Sequence, residues 1–190
     1  MRRKKTGKKW LFALALIIIV LMVGSSLLFG MDQDDQSKSK YNNHRFTFKN
    51  NQWTTVINNY EMSFYHHPAE LDYLNITSPE NLQAPLIYVT FDPNTTTEYL
   101  DLSRLKLDLA SQITGIYFSH GTLKPSEEYS LPQITCQNAT PNIPVLLYQK
   151  ADETYIDYNN NCYILNAQIN SDFLKLTERI IYQVIGVING

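Results

Sequence analysis

Hydrophobic patterning changes three times along the chain, and each change predicts a different element. Trp10 to Gly30 is an unbroken uncharged, mostly apolar run. At about 1.5 Å per helical residue it matches the roughly 30 Å hydrocarbon core of a bilayer, so residues 10–30 are expected to form one transmembrane helix. Met31 to Asn43 is polar, mixed in charge and aperiodic, which reads as a flexible tether. From residue 44 the pattern has a period of two. Arg45–Lys49 and Glu61–Tyr65 alternate, Trp53–Ile57 is β-branched, and Asn50-Asn51 and Asn58-Asn59 stand between them. This predicts a three-stranded antiparallel meander over about 45–66.

Pro68, followed by Glu70 and Asp72, predicts a short helix reaching Leu74. Leu86–Phe91 is almost continuously apolar and fits a strand buried on both faces. Leu102, Leu105, Leu109 and Ile113 then recur at i, i+3, i+7 and i+11, predicting a helix over about 97–112 that packs through that stripe. Leu105–Leu109 also alternates as a strand would, but length and the Leu, Arg, Lys and Ala content favour helix. Strands are expected at Ile116–His120, Val145–Gln149, Thr154–Tyr158 and Cys162–Ala167, with Gly121–Gln133 a loop and the last two strands a hairpin around Asn159–Asn161. A closing helix over about 171–186 carries Phe173, Leu176, Ile180, Val184 and Val187 on one stripe. Lys175, Glu178 and Arg179 lie on another, and Gly186 is placed to end the helix. The predicted fold is an α+β domain over residues 44–190: a mainly antiparallel mixed sheet with two main packing helices, preceded by the transmembrane helix.

Charge gives this layout a direction. Residues 1–9 hold six of the sixteen bases and no acid, whereas residues 31–190 hold ten bases against eighteen acids, a net charge of −8. That asymmetry predicts a cytoplasmic basic tail at 1–9 and an extracytoplasmic domain at 31–190, and an acidic exported part argues against nucleic-acid binding. A cleaved signal peptide is the rival reading, but its apolar region is usually shorter, about 7–15 residues. Here Gly24-Ser25-Ser26 is followed by more apolar chain. A pilin-type leader fails because Gly7 is followed by Lys8, Lys9 and Trp10, with no acid. All thirteen Tyr lie after Gly30, as in a folded rather than a disordered segment.

Chemistry-bearing residues are few. Cys136 and Cys162, an even count in an exported domain, are expected to form a disulfide; two buried free thiols are the alternative. Among the histidines only His67 can converge with an acid, Glu70, because adjacent strand residues such as His66 and His67 point to opposite faces. Two ligands do not make a zinc site, so neither a metal nor a cofactor is expected. Asn75, Asn94 and Asn138 head glycosylation sequons, no more than chance supplies in so Asn-rich a chain. The chain carries no nucleophile elbow, phosphate loop or dinucleotide fingerprint.

The segments Cys136–Thr140, Pro144-Val145, Thr154–Ile156, Asn161–Ile164 and Ile181-Tyr182 to Val187 resemble a group of small, uncharacterised, membrane-anchored archaeal proteins. The resemblance implies an exported domain with paired cysteines and carries no activity over. The expected function is a single-pass anchored module, held in the bilayer by residues 10–30, that makes protein or surface contacts rather than catalysing a reaction. An extracytoplasmic enzyme or solute-binding module built on His67 and Glu70 is the alternative, and an accessory subunit of a membrane complex is a third.

Overall fold

A computed structural model of the chain describes residues 17–19, 37–95 and 97–188. The chain divides after Gln36; of the part before it only Ile17–Ile19 are described, and they are helical. Among the described residues no helix is long and apolar enough to cross a membrane, and the expected membrane segment otherwise lies outside them.

Residues from Ser37 onward form an α+β unit with two sheets rather than one. The first is an antiparallel meander of β1 (Lys38–Tyr41), β2 (His44–Lys49), β3 (Gln52–Ile57) and β4 (Tyr60–Phe64), paired in chain order. It has four strands, not three. β1 occupies part of the stretch expected to be tether, and Tyr41↔His44 closes a two-residue loop at Asn42-Asn43. The later hairpins turn through Asn50-Asn51 and Asn58-Asn59, with φ between 49° and 69° at all four positions. Asn tolerates this left-handed region, and two such residues in succession match the twist of a tight hairpin.

The second sheet contains β5 (Leu86–Phe91), β6 (Tyr117–Thr122), β7 (Val145–Lys150), β8 (Tyr155–Asn159) and β9 (Cys162–Ala167), in the order β6-β5-β7-β9-β8. Every pair but β8–β9 is parallel, so this sheet is mainly parallel where a mainly antiparallel one is expected. The parallel pairing explains the continuous apolar strands, because both faces are covered. Val89, Phe91, Leu146, Tyr148, Tyr163 and Leu165 enter the main core on one face. Val145, Leu147 and Cys162 meet Ile134 on the other, under the 123–144 connection. That connection is drawn tight at Gly121, where an added Cβ would lie 2.5 Å from Ile134 Cδ1 and 2.7 Å from the Pro132 carbonyl oxygen.

Two helices pack on each other, and the closing one is held between the sheets. α1 (Glu98–Thr114) links β5 to β6, starts with the Thr97 hydroxyl accepting the Leu100 N–H and stops at Gly115 with φ 74°. α2 (Asp172–Val184) follows β9 and ends as expected at Gly186, also at φ 74°. The Gly186 N–H bonds Gln183 O and the Val187 N–H bonds Tyr182 O, satisfying two terminal carbonyls.

α2 is the centre of the unit. Its Tyr182 ring stacks on Phe64 of β4 at 4.2 Å between centroids, while its Thr177 hydroxyl bonds Tyr148 of β7 at 2.6 Å. Being covered by both sheets, it buries not only the predicted apolar stripe but also Glu178 and Arg179, which the sequence pattern places on a charged stripe. The expected short helix after Pro68 is a single 3-10 turn, Pro68–Glu70.

Candidate functional site

The packing stripe of α1 is not the one expected. Successive helix residues are about 100° apart, so the alternating leucines at 100, 102, 105, 107 and 109 divide between opposite sides of the helix. Leu100, Ser103, Leu107 and Ala110 are buried, whereas Leu105 and Leu109 are 54% and 50% exposed and Leu102 and Ile113 only half-covered. α1 therefore has two apolar faces, and among the described residues no protein layer lies over the second.

That second face forms one wall of a groove of about 380 Å³, the other wall being β4 with Met62 and Phe64, and Tyr65 just beyond its end. Tyr60 and Tyr65 stand exposed at its rim. β4 is the end strand of its sheet, and side chains from the helices occupy part of its free edge. The Lys106 ammonium donates to Ser63 O at 2.7 Å, and the Tyr65 and His66 N–H groups donate to the Glu178 carboxylate at 2.8 and 3.0 Å.

The same contacts build a buried ionic cluster beside the groove. Glu178 is fully buried, with Oε1 2.9 Å from Lys106 Nζ and Oε2 2.7 Å from His66 Nδ1. Burial pushes the Glu178 carboxyl up, but His66, Lys106 and the Tyr65 N–H outweigh it and hold the group below its ordinary value. Lys106 also lies over the rings of Phe64 and Tyr65 at 5.3 and 5.1 Å. Each Glu178 oxygen accepts two donors, so the carboxylate acts as a fixed counter-charge that ties α2, α1 and β4 together. Sequence reasoning misses this cluster. Its charged members lie forty or more residues apart in the chain, at positions 66, 106 and 178, and an acid on a charged helix stripe ordinarily faces water. The remaining signal is a closing helix whose charges have no solvent side once a second sheet exists.

The structure brings His67 and Glu70 together, but as a cap. The His67 N–H donates to Glu70 Oε1 at 3.2 Å, and the Ala69 N–H donates to His67 Nδ1 at 3.3 Å, closing the 3-10 turn. The His67 ring packs edge-on against Tyr41, Phe46 and Trp53. Its Nε2 is buried with no hydrogen-bond partner among the described residues, and burial lowers the pKa below the usual 6.5 against the opposing pull of Glu70 and Asp72. His66 and His67 do point apart, one to Glu178 and the other into the aromatic cluster. Among the described residues no group of three or more His, Cys, Asp or Glu could hold a metal.

Cys136 and Cys162 form the expected disulfide, with Cα atoms 5.4 Å apart, pinning the 123–144 connection to the start of β9. Asn75, Asn94 and Asn138 are all exposed. Asn138 Oδ1 also accepts the Thr135 N–H at 2.8 Å, and Thr96, which completes the Asn94 sequon, lies outside the described residues. No protein-family model, curated protein or solved structure matches this chain.

Proposed function

We propose that this chain is a single-pass, membrane-anchored extracytoplasmic binding module whose contact site is the groove between β4 and α1. The observation that carries the reading is the stripe of exposed Leu105 and Leu109 with half-covered Leu102 and Ile113, which lines the groove with Met62 and Tyr65. An apolar surface of this kind on a folded domain marks an interaction site more often than it occurs by accident. The uncharged run at 10–30, the basic flank before it and the paired cysteines support export and anchoring. The ionic cluster beside the groove fits a binding role, because its charges are matched and held in place rather than poised to react.

Chemical crosslinking in intact cells, followed by purification through a C-terminal tag, tests this. The expected result is a stoichiometric partner with the native chain that is lost in a Leu105→Asp/Leu109→Asp variant of unchanged thermal stability. Equal recovery with both chains overturns the groove assignment. A volume of about 380 Å³ also falls in the range of small-molecule sites, so a bound apolar compound is the second reading. Native mass spectrometry of the purified chain distinguishes it from a protein partner.

A further inference from the structure

The outward face of the first sheet carries a charge pattern opposite to that of the rest of the exported chain. Lys38 and Lys40 of β1 lie two residues apart and so share one face. Arg45 of β2 is directly opposite Lys40, which places it on the same face. All three are exposed, and none has an ion-pair partner among the described residues. By contrast, the next base on that face, Lys49, pairs with Glu61 at 2.6 Å. Like charges directly opposite on neighbouring strands oppose pairing. The cluster therefore costs stability in the isolated domain, and an anionic partner would remove that cost.

The position of the face says which anion it meets. The apolar run ends at Gly30 and β1 begins at Lys38. The seven residues between span at most about 25 Å even when fully extended. If residues 10–30 cross the bilayer, as the proposed function holds, the first strand after the crossing in chain order is the one bearing Lys38 and Lys40. Residues 31–190 carry a net charge of −8, so an anionic surface repels the domain as a whole and attracts it at this patch. We propose that the Lys38–Lys40–Arg45 face docks on an anionic bilayer surface and thereby sets the orientation of the domain. The β4 edge with its groove is at the other side of the sheet, three strand spacings or about 14 Å from β1, and is left open to a partner. Asp32, Asp34 and Asp35 in the preceding segment are the competing anions, and the test includes them.

The experiment uses the full chain, reconstituted into vesicles of phosphatidylcholine alone or of phosphatidylcholine and phosphatidylglycerol in equal parts. A fluorophore is placed on the same face by Thr47→Cys, the native cysteines being paired. Quenching by headgroup-labelled lipid reports proximity, and vesicle flotation is measured in parallel. The expected result is flotation with both vesicle types but strong quenching only with the anionic one. That quenching should be abolished in about 1 M salt, where the screening length is about 3 Å. A Lys38→Glu/Lys40→Glu/Arg45→Glu variant should float equally well and need at least about tenfold more anionic lipid for half-maximal quenching. Flotation with quenching that ignores lipid charge, or is unchanged in the variant, overturns the docking proposal. Neutralisation of the face by the Asp32–Asp35 acids would give that same insensitivity to lipid charge and overturns it equally. Failure to float with either vesicle overturns the anchor reading and this proposal with it.

Discussion

Replacing Glu178 by Gln keeps the shape of the side chain and removes its charge, in a setting where every acceptor position is taken. Oε1 accepts from Lys106 and the Tyr65 N–H, and Oε2 accepts from the His66 N–H and faces His66 Nδ1. An amide offers one acceptor oxygen, so in either orientation its NH₂ group confronts donors. Lys106, with a side chain only 10% exposed, loses its counter-charge. Removing one member of a buried pair typically costs about 3–5 kcal/mol. For a unit of this size that is a Tm lower by roughly 6–20 °C. Thermal unfolding of the oxidised 37–190 domain by circular dichroism measures it. In a double-mutant cycle with Lys106→Met, the single losses should exceed the loss of the double variant by more than about 1 kcal/mol, since the two side chains share one interaction. The pH dependence has a definite sign. The folded carboxyl lies below its ordinary value of 4.5, so its contribution is present above pH 4.5 and is lost as pH falls through the folded value. The gap between wild type and Glu178→Gln should therefore narrow on acidification. A variant within about 1 kcal/mol of wild type at neutral pH, or strict additivity, would refute the reasoning.

Three further outcomes are expected. Leu107→Ala should cost about 2–5 kcal/mol, as a fully buried leucine does, while Leu105→Ala on the groove side should stay within about 0.5 kcal/mol; urea titration of both variants checks this. Reducing the Cys136–Cys162 bridge, or replacing both residues by Ala, should lower stability by about 3.5 kcal/mol for a loop of this length, read from the denaturation midpoint with and without reductant. His67 is held below its usual 6.5, so wild type loses stability as pH falls below 6.5 toward the folded value. Tm measured at about pH 7.5 and about pH 5 should consequently shift in favour of His67→Phe at the lower pH, and a shift the other way would contradict the assignment.

Elements whose cause is local are legible in the sequence. The Asn-Asn hairpin turns, the two main helices with Gly115 and Gly186 beyond their ends, and the β8–β9 hairpin all follow from φ preference and periodicity. β1 carries the same signal, an Asn-Asn pair at 42–43, but the mixed charge and polarity of Met31–Asn43 as a whole disguise the strand as tether. What requires tertiary knowledge is less readable. The parallel order β6-β5-β7-β9 joins strands separated by helix and loop, and periodicity does not distinguish parallel from antiparallel pairing. The 3.6-residue stripe on α1 is present, but it faces outward because the second leucine stripe takes the core. Glu178 has no sequence signature as a buried charge, since its burial depends on a second sheet covering α2.

The most direct test of the central claim places a photo-crosslinking amino acid, one position at a time, at Leu105, Leu109 and Ile113, with exposed Tyr117 on the edge strand β6 as control. Irradiation of intact cells should give one adduct shared by the groove positions and absent from the control. Adducts of equal yield at all four positions, or at Tyr117 alone, would contradict a binding site between β4 and α1.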